Sequence, residues 1–79
     1  MADERVLDVR FDDHSLIVHL MDGRTISAPL VWFPRLVKAT VGQRANWQKC
    51  GGGNGIYWPD IEEDLSVEGL LRGSASAVA

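Results

Sequence analysis

Asp22-Gly23 stands between two strand-like runs, Leu16-Ile17-Val18-His19-Leu20-Met21 and Arg24 to about Pro29. The dipeptide supplies the positive φ angles of a two-residue hairpin, and no other short signal in the chain limits the fold as tightly. With Asp22 and Gly23 as the loop, the register predicts Met21 opposite Arg24, His19 opposite Ile26 and Ile17 opposite Ala28. Upstream, Leu7, Val9 and Phe11 alternate with Asp8 and Arg10, the period of a half-buried strand. Asp12-Asp13-His14-Ser15 is a polar break with turn chemistry. The run from Leu16 is apolar on both faces, which predicts a central strand covered on both sides. Together these segments predict a three-stranded antiparallel meander.

The pattern changes after Pro29. Pro34 suits the first position of a helix, where its missing N–H costs nothing. Leu36, Val37 and Ala39 predict an apolar stripe, with Arg35 and Lys38 on the wet side of a helix over 34–39. Thr40-Val41-Gly42-Gln43 matches a capping box and predicts a second short helix, or a kinked continuation, over 41–46. Trp47-Gln48-Lys49-Cys50 and Ile56-Tyr57-Trp58 flank Gly51-Gly52-Gly53-Asn54-Gly55, which reads as a second hairpin. Pro59 ends its last strand, because proline cannot donate to a ladder. Asp60-Ile61-Glu62-Glu63-Asp64-Leu65 reads as an acidic connector. Ser66 is a good N-cap for a final helix, Val67 to Arg72, which Gly73 stops. The fold class is therefore α+β: the meander, one or two short helices, a second β-hairpin and a short C-terminal helix.

At 79 residues the chain has room for one core, so residues 1–73 are expected to form a single domain and 74–79 a disordered tail. Hydrophobic residues make up 46% and charged residues 24%, a globular rather than a disordered balance. No apolar run approaches a membrane span, and the acidic start, Met1-Ala2-Asp3-Glu4, is not a secretory signal. The lone Cys50 excludes an internal disulfide framework and a multi-cysteine zinc site, so the expected compartment is the reducing cytoplasm.

Specific runs carry a family resemblance. They are Asp22-Gly23-Arg24, Pro29-Leu30-Val31-Trp32-Phe33-Pro34-Arg35-Leu36, Ala39-Thr40 with Gln43-Arg44-Ala45-Asn46-Trp47, and Gly55-Ile56-Tyr57-Trp58-Pro59-Asp60-Ile61-Glu62-Glu63-Asp64-Leu65-Ser66-Val67-Glu68-Gly69-Leu70-Leu71. The chain resembles the bacterial family known as domain of unknown function 2442 over about residues 5–73. Relatives often carry Pro-Glu where this chain has Val41-Gly42. The resemblance implies a small α+β domain that stands alone or is fused to a DNA-binding helix-turn-helix segment; no such segment is expected here. It also implies frequent pairing with a second small protein, in an arrangement like a toxin and its antitoxin. It brings no catalytic residues to carry over.

The residues themselves offer few chemical constellations. A phosphate cradle needs a helix after its glycine loop, and here Ile56-Tyr57-Trp58-Pro59 follows. Asp60, Glu62, Glu63 and Asp64 lack the alternating spacing of a calcium loop, so they read as a solvated run or as a patch for a basic partner. His14 reads as a turn residue and His19 as a half-buried structural one, neither with a nucleophile beside it; Cys50 reads as a spectator thiol. Arg35, Lys38, Arg44 and Lys49 form a stretch without an acid, with Trp47 among them, and are the one candidate footprint for nucleic acid. Trp32 and Trp58, beside prolines, are the candidate exposed anchors of an interface.

These readings predict a non-enzymatic protein-binding module. Its partner-binding residues are Trp32, Trp58, Asp60, Glu62, Glu63 and Asp64, and its partner is a toxin or a defence complex neutralised by direct binding. The alternative is a nucleic-acid-binding or transcription-associated module using the 34–49 segment. No catalytic residue, cofactor or metal is expected. Homodimerisation through an edge strand or an exposed aromatic patch is compatible with either reading.

Overall fold

A computed structural model describes residues 3–73. The expected tail at 74–79 lies outside the described residues. Strands β1 (Val6–Phe11), β2 (Ser15–Leu20) and β3 (Thr25–Pro29) form an antiparallel sheet in the order β1-β2-β3. A 3-10 turn at Leu30–Trp32 leads into α1 (Pro34–Lys38) and then α2 (Val41–Ala45). Strands β4 (Gln48–Cys50), β5 (Gly55–Trp58) and β6 (Glu63–Ser66) form a second antiparallel sheet, and α3 (Val67–Arg72) ends the described chain. The fold is α+β, as the sequence predicts.

The first meander is present, but its details differ. His19 pairs with Thr25, Val18 with Ile26 and Leu16 with Ala28, one residue away from the predicted register. The loop has three residues, Met21-Asp22-Gly23, closed by Leu20 N–H donating to Arg24 O at 2.9 Å. Gly23 holds φ at +94°, so the loop uses the glycine but adds Met21 to the turn. Asp22 fixes the arrangement by accepting from Arg24 N–H at 2.9 Å and from Arg24 Nε at 2.7 Å. In β1 a bulge falls between Val6 and Asp8, because Val6 pairs with Leu20 and Asp8 with His19. The extra residue is Leu7, which points to solvent, while Val6 is buried in its place. The face of β2 bearing Leu16, Val18 and Leu20 is buried, whereas Ile17 and His19 are only half-covered. β2 is thus central but packed on one side, not two.

The helix signals read more directly. Pro34 opens α1. Thr40 Oγ1 accepts from Gln43 N–H, and the Gln43 side chain accepts from Thr40 N–H, completing the capping box. Ser66 Oγ accepts from Gly69 N–H, and Gly73 caps α3. Of the predicted α1 stripe, Leu36 is fully buried, but Val37 is exposed. The run read as an acidic connector is a tight turn followed by β6, with Glu63 opposite Trp58 and Leu65 opposite Ile56.

One core joins both sheets. Val6, Val9, Leu16, Val18, Leu20 and Ala28 come from the first sheet, Ile56 and Trp58 from the second. Leu30, Phe33, Leu36, Val67 and Leu70 close it from the turns and helices. Burying a side chain such as Phe33 or Leu36 contributes about 1.5–3 kcal/mol. Phe11 meets Trp58 edge to face at 6.3 Å between ring centroids, a direct bridge from sheet to sheet.

Candidate functional site

The structure separates the expected partner-binding residues. Trp58 has no exposed surface, so it is a core residue and not a surface anchor. Its indole Nε1–H donates to Arg44 O at 3.0 Å, which satisfies the one polar atom it takes inside. Glu63 is also buried, at 4% exposure, with its carboxylate accepting from Asp64 N–H. Trp32 is half-buried, packed edge to face on Phe33 and beside Gly73 at the end of α3. Asp60, Glu62 and Asp64 are exposed on the β5–β6 turn and on β6 itself.

The turn is held from two sides. Asp60 Oδ2 accepts from Asn46 Nδ2 at 3.0 Å, tying it to the end of α2. Glu62 carries a φ of +52°, an uncommon backbone state for a residue with a side chain. Its carbonyl accepts from Arg35 Nη1 at 2.7 Å, so α1 grips the turn at that residue.

The four cations of the nucleic-acid alternative are not equivalent. Arg35 is committed to Glu62 O. Arg44 donates through Nε to Leu36 O and through Nη2 to Val37 O, and its guanidinium lies 5.4 Å from the Phe11 ring centroid. Arg44 therefore serves as a C-terminal cap for α1 and a lid on an aromatic ring. Lys38 and Lys49 remain exposed and make no ion pair among the described residues.

The other arginines are paired with acids. Arg5 pairs with Asp3, Arg10 with Asp8, Arg24 with both Glu4 and Asp22, and Arg72 with Glu68. These pairs pull carboxyls down from their ordinary value: Asp3 reaches about 2 through its hydrogen bond from Arg5, and Asp8 is lowered by its bond from Arg10. The Asp12 carboxylate is lowered by the main-chain N–H groups of the β1–β2 turn. Asp12, Asp13, Asp60, Glu62 and Asp64 make no ion pair among the described residues. Exposed carboxylates without an ion pair among the described residues thus lie in two places, the β1–β2 turn (Asp12, Asp13) and the β5–β6 hairpin (Asp60, Glu62, Asp64).

Among the described residues, concave surfaces set β1 against the second half of the chain. One, about 390 Å³, lies between Val9–Asp13 and the α2 residues Val41, Arg44 and Ala45. Another, about 350 Å³, lies between Arg5, Val6, Met21, Lys49, Gly52 and Gly53. The glycine loop at the second leads into β5 rather than a helix, consistent with its reading as a hairpin turn. Among the described residues no three His, Cys, Asp or Glu side chains gather as a metal-binding group, and no helix is long and apolar enough to cross a membrane. Exposure and charge could have been anticipated only in part: the alternation of β5 puts Trp58 on the same side as Ile56, a parity that signals burial.

Two solved structures share this fold. A protein of unknown function from Rhodospirillum rubrum superposes with a TM-score of 0.77 at 29% identity, over 92% of this chain and 90% of its own. An uncharacterized protein from Chromobacterium violaceum gives a TM-score of 0.77 at 22% identity, over 94% of this chain and 70% of its own. Among curated proteins none matches the chain. The family described as protein of unknown function (DUF2442) matches residues 6–76, almost the whole chain, and the protein belongs to that family.

Proposed function

We propose that this protein is a non-enzymatic binding module of the cytoplasm that docks on a basic protein and neutralises it, as an antitoxin or an inhibitor does. The observation that carries the reading is the open charge of the β5–β6 hairpin. The arginines are committed to acids or carbonyls, Arg35 to the Glu62 main-chain carbonyl on the hairpin itself, while the side-chain carboxylates of Asp60, Glu62 and Asp64 stay exposed and make no ion pair among the described residues. Unpaired carboxylates held on a rigid turn steer a positively charged partner and lose little entropy on pairing. The nucleic-acid alternative has less support, because Arg35 and Arg44 are already spent on carbonyls and the formal net charge is −3.

The test is affinity capture of tagged protein from its own host, with and without nuclease, read by mass spectrometry. The expected result is one dominant protein in both halves, lost when Asp60→Asn, Glu62→Gln and Asp64→Asn are combined. Retention that disappears with nuclease overturns the reading in favour of nucleic acid.

A further inference from the structure

We infer that Asn54 is a site of self-modification, held unreactive by the fold and released when the β4–β5 loop opens, and that its product unfastens α3 from the second sheet. The chemistry belongs to the pair Asn54-Gly55. The Gly55 main-chain nitrogen, its proton taken by solvent base, attacks Asn54 Cγ. A bond from that nitrogen to Cγ forms, the Cγ–Nδ2 bond breaks and ammonia leaves, which closes a five-membered succinimide. Water then opens the ring at either carbonyl. The product is aspartate or, with the main chain rerouted through the side chain, isoaspartate. Water is the one co-reactant, and nothing is oxidised or reduced. Glycine hinders the attack least, because no Cβ stands beside the nitrogen. The chain's other asparagine, Asn46, precedes Trp47 and lacks that freedom.

The fold supplies both the dipeptide and the restraint. Gly55 is buried, and a Cβ there would stand 2.7 Å from Cys50 Sγ and 3.3 Å from Leu65 O, so the close approach of β4 and β6 to β5 demands glycine. Asn54 is exposed, and its side-chain amide makes no hydrogen bond among the described residues. What holds the reaction off is the backbone angle. Tetrahedral geometry at an L residue brings the next nitrogen under Cβ at a ψ of about −120°. Asn54 holds ψ at −3°, so the Gly55 nitrogen is turned roughly a third of a circle away from its Cβ. Asn54 O accepts from Val67 N–H at 2.9 Å, and Asn54 N–H donates to Gly51 O at 3.3 Å. Rotating ψ to the reactive value swings Asn54 O away from Val67 N–H, so the ring closes only after that bond has broken. The same bond is what the product removes. Val67 is the first residue of α3. Isoaspartate adds a methylene to the main chain at this point, and the new carboxylate meets Glu4 and Glu68, which line one hollow with Asn54. The longer chain and the like charge both oppose re-forming the link to Val67.

The experiment incubates the full chain at mildly alkaline pH in buffer, in guanidinium chloride below the unfolding midpoint and in guanidinium chloride above it. Peptide mapping by mass spectrometry follows the change from amide to acid at each asparagine, and electron-transfer fragmentation separates isoaspartate from aspartate. Deamidation at Asn54 is expected to be at least about tenfold slower in buffer than above the midpoint, and to quicken already below it. Asn46 is expected to stay intact throughout. Asn54→Gln, an exposed change that replaces the five-membered ring by a slower six-membered one, is expected to stop the reaction over the same period. In chain aged to isoaspartate the Val67 amide is expected to exchange at least about tenfold faster than in fresh chain, while the Val18 amide of β2 keeps its protection. A rate in buffer equal to the rate in the unfolded chain overturns the proposal, because the fold then restrains nothing. Deamidation at Asn46 as fast as at Asn54 overturns it as well. A Val67 amide as slow after ageing as before, or equal loss of protection at Val67 and Val18, overturns the link to α3.

Discussion

Single residues show how burial overrules local appearance. Trp58 sits beside Pro59 in an acidic stretch and looks like a surface aromatic, yet it fills the centre of the molecule with its Nε1–H on Arg44 O. The size and the donor act together. Trp58→Phe removes ring volume and leaves the Arg44 carbonyl short of a donor, so it should cost about 2 kcal/mol or more in urea unfolding. Trp32→Phe, at a half-buried site whose indole makes no hydrogen bond among the described residues, should cost about 1 kcal/mol or less. Equal losses would mean that the indole bond contributes nothing. Glu62 makes the opposite case. Its φ of +52° suits glycine, so Glu62→Gly should be neutral or stabilising by up to about 1 kcal/mol, whereas Glu62→Val should destabilise. Nothing in the residues around Glu62 announces that state; it follows from the turn that closes β5 onto β6.

At the scale of elements, the helix boundaries were legible and the strand registers only partly so. Pro34, the Thr40–Gln43 box and Ser66 mark helix starts because capping is local chemistry, complete within a few residues. Thr40→Ala should therefore cost about 1 kcal/mol and raise amide exchange first in α2. Strand details depend on distant partners. Val6 and Val9 are both buried although three residues apart, which clean alternation forbids and the Leu7 bulge allows. β6 was hidden because Glu63 and Asp64 are poor strand formers, and pairing with β5 overrides that preference. The turns carry a pH signature as well. Asp12 and Asp22 are lowered mainly by main-chain N–H groups of their turns, and Asp8 and Asp3 by arginine hydrogen bonds. A carboxyl whose folded pKa is depressed adds stability that is complete above its unfolded value and is lost as pH falls through the folded one. The urea midpoint should thus be flat above the ordinary aspartate value of 3.8 and fall as pH drops toward the Asp3 value of about 2. Asp12→Asn and Asp22→Asn should each flatten that fall.

For the whole molecule the question is whether two small sheets make one cooperative unit. A three-stranded sheet with an apolar face can sometimes stand alone, so independent unfolding is a real rival. The packing argues against it. The second sheet gives the core only Ile56 and Trp58 as fully buried apolar side chains, and Trp58 is covered from the other sheet by Phe11. Arg44 links the same centre, with its carbonyl on Trp58, its guanidinium over Phe11 and its nitrogens on α1. Removing either sheet would expose the other's buried face and break that node, so neither has a stable state without its neighbour. Urea unfolding followed by tryptophan fluorescence, which reports on Trp32, Trp47 and Trp58, and by far-ultraviolet dichroism, weighted to all strands and helices, should give coincident transitions with a slope of about 1 kcal/mol per molar. Phe11→Leu should move both midpoints down together. If it shifts the fluorescence transition alone, the sheets are separable and the edge-to-face contact is a hinge between two units rather than the middle of one core.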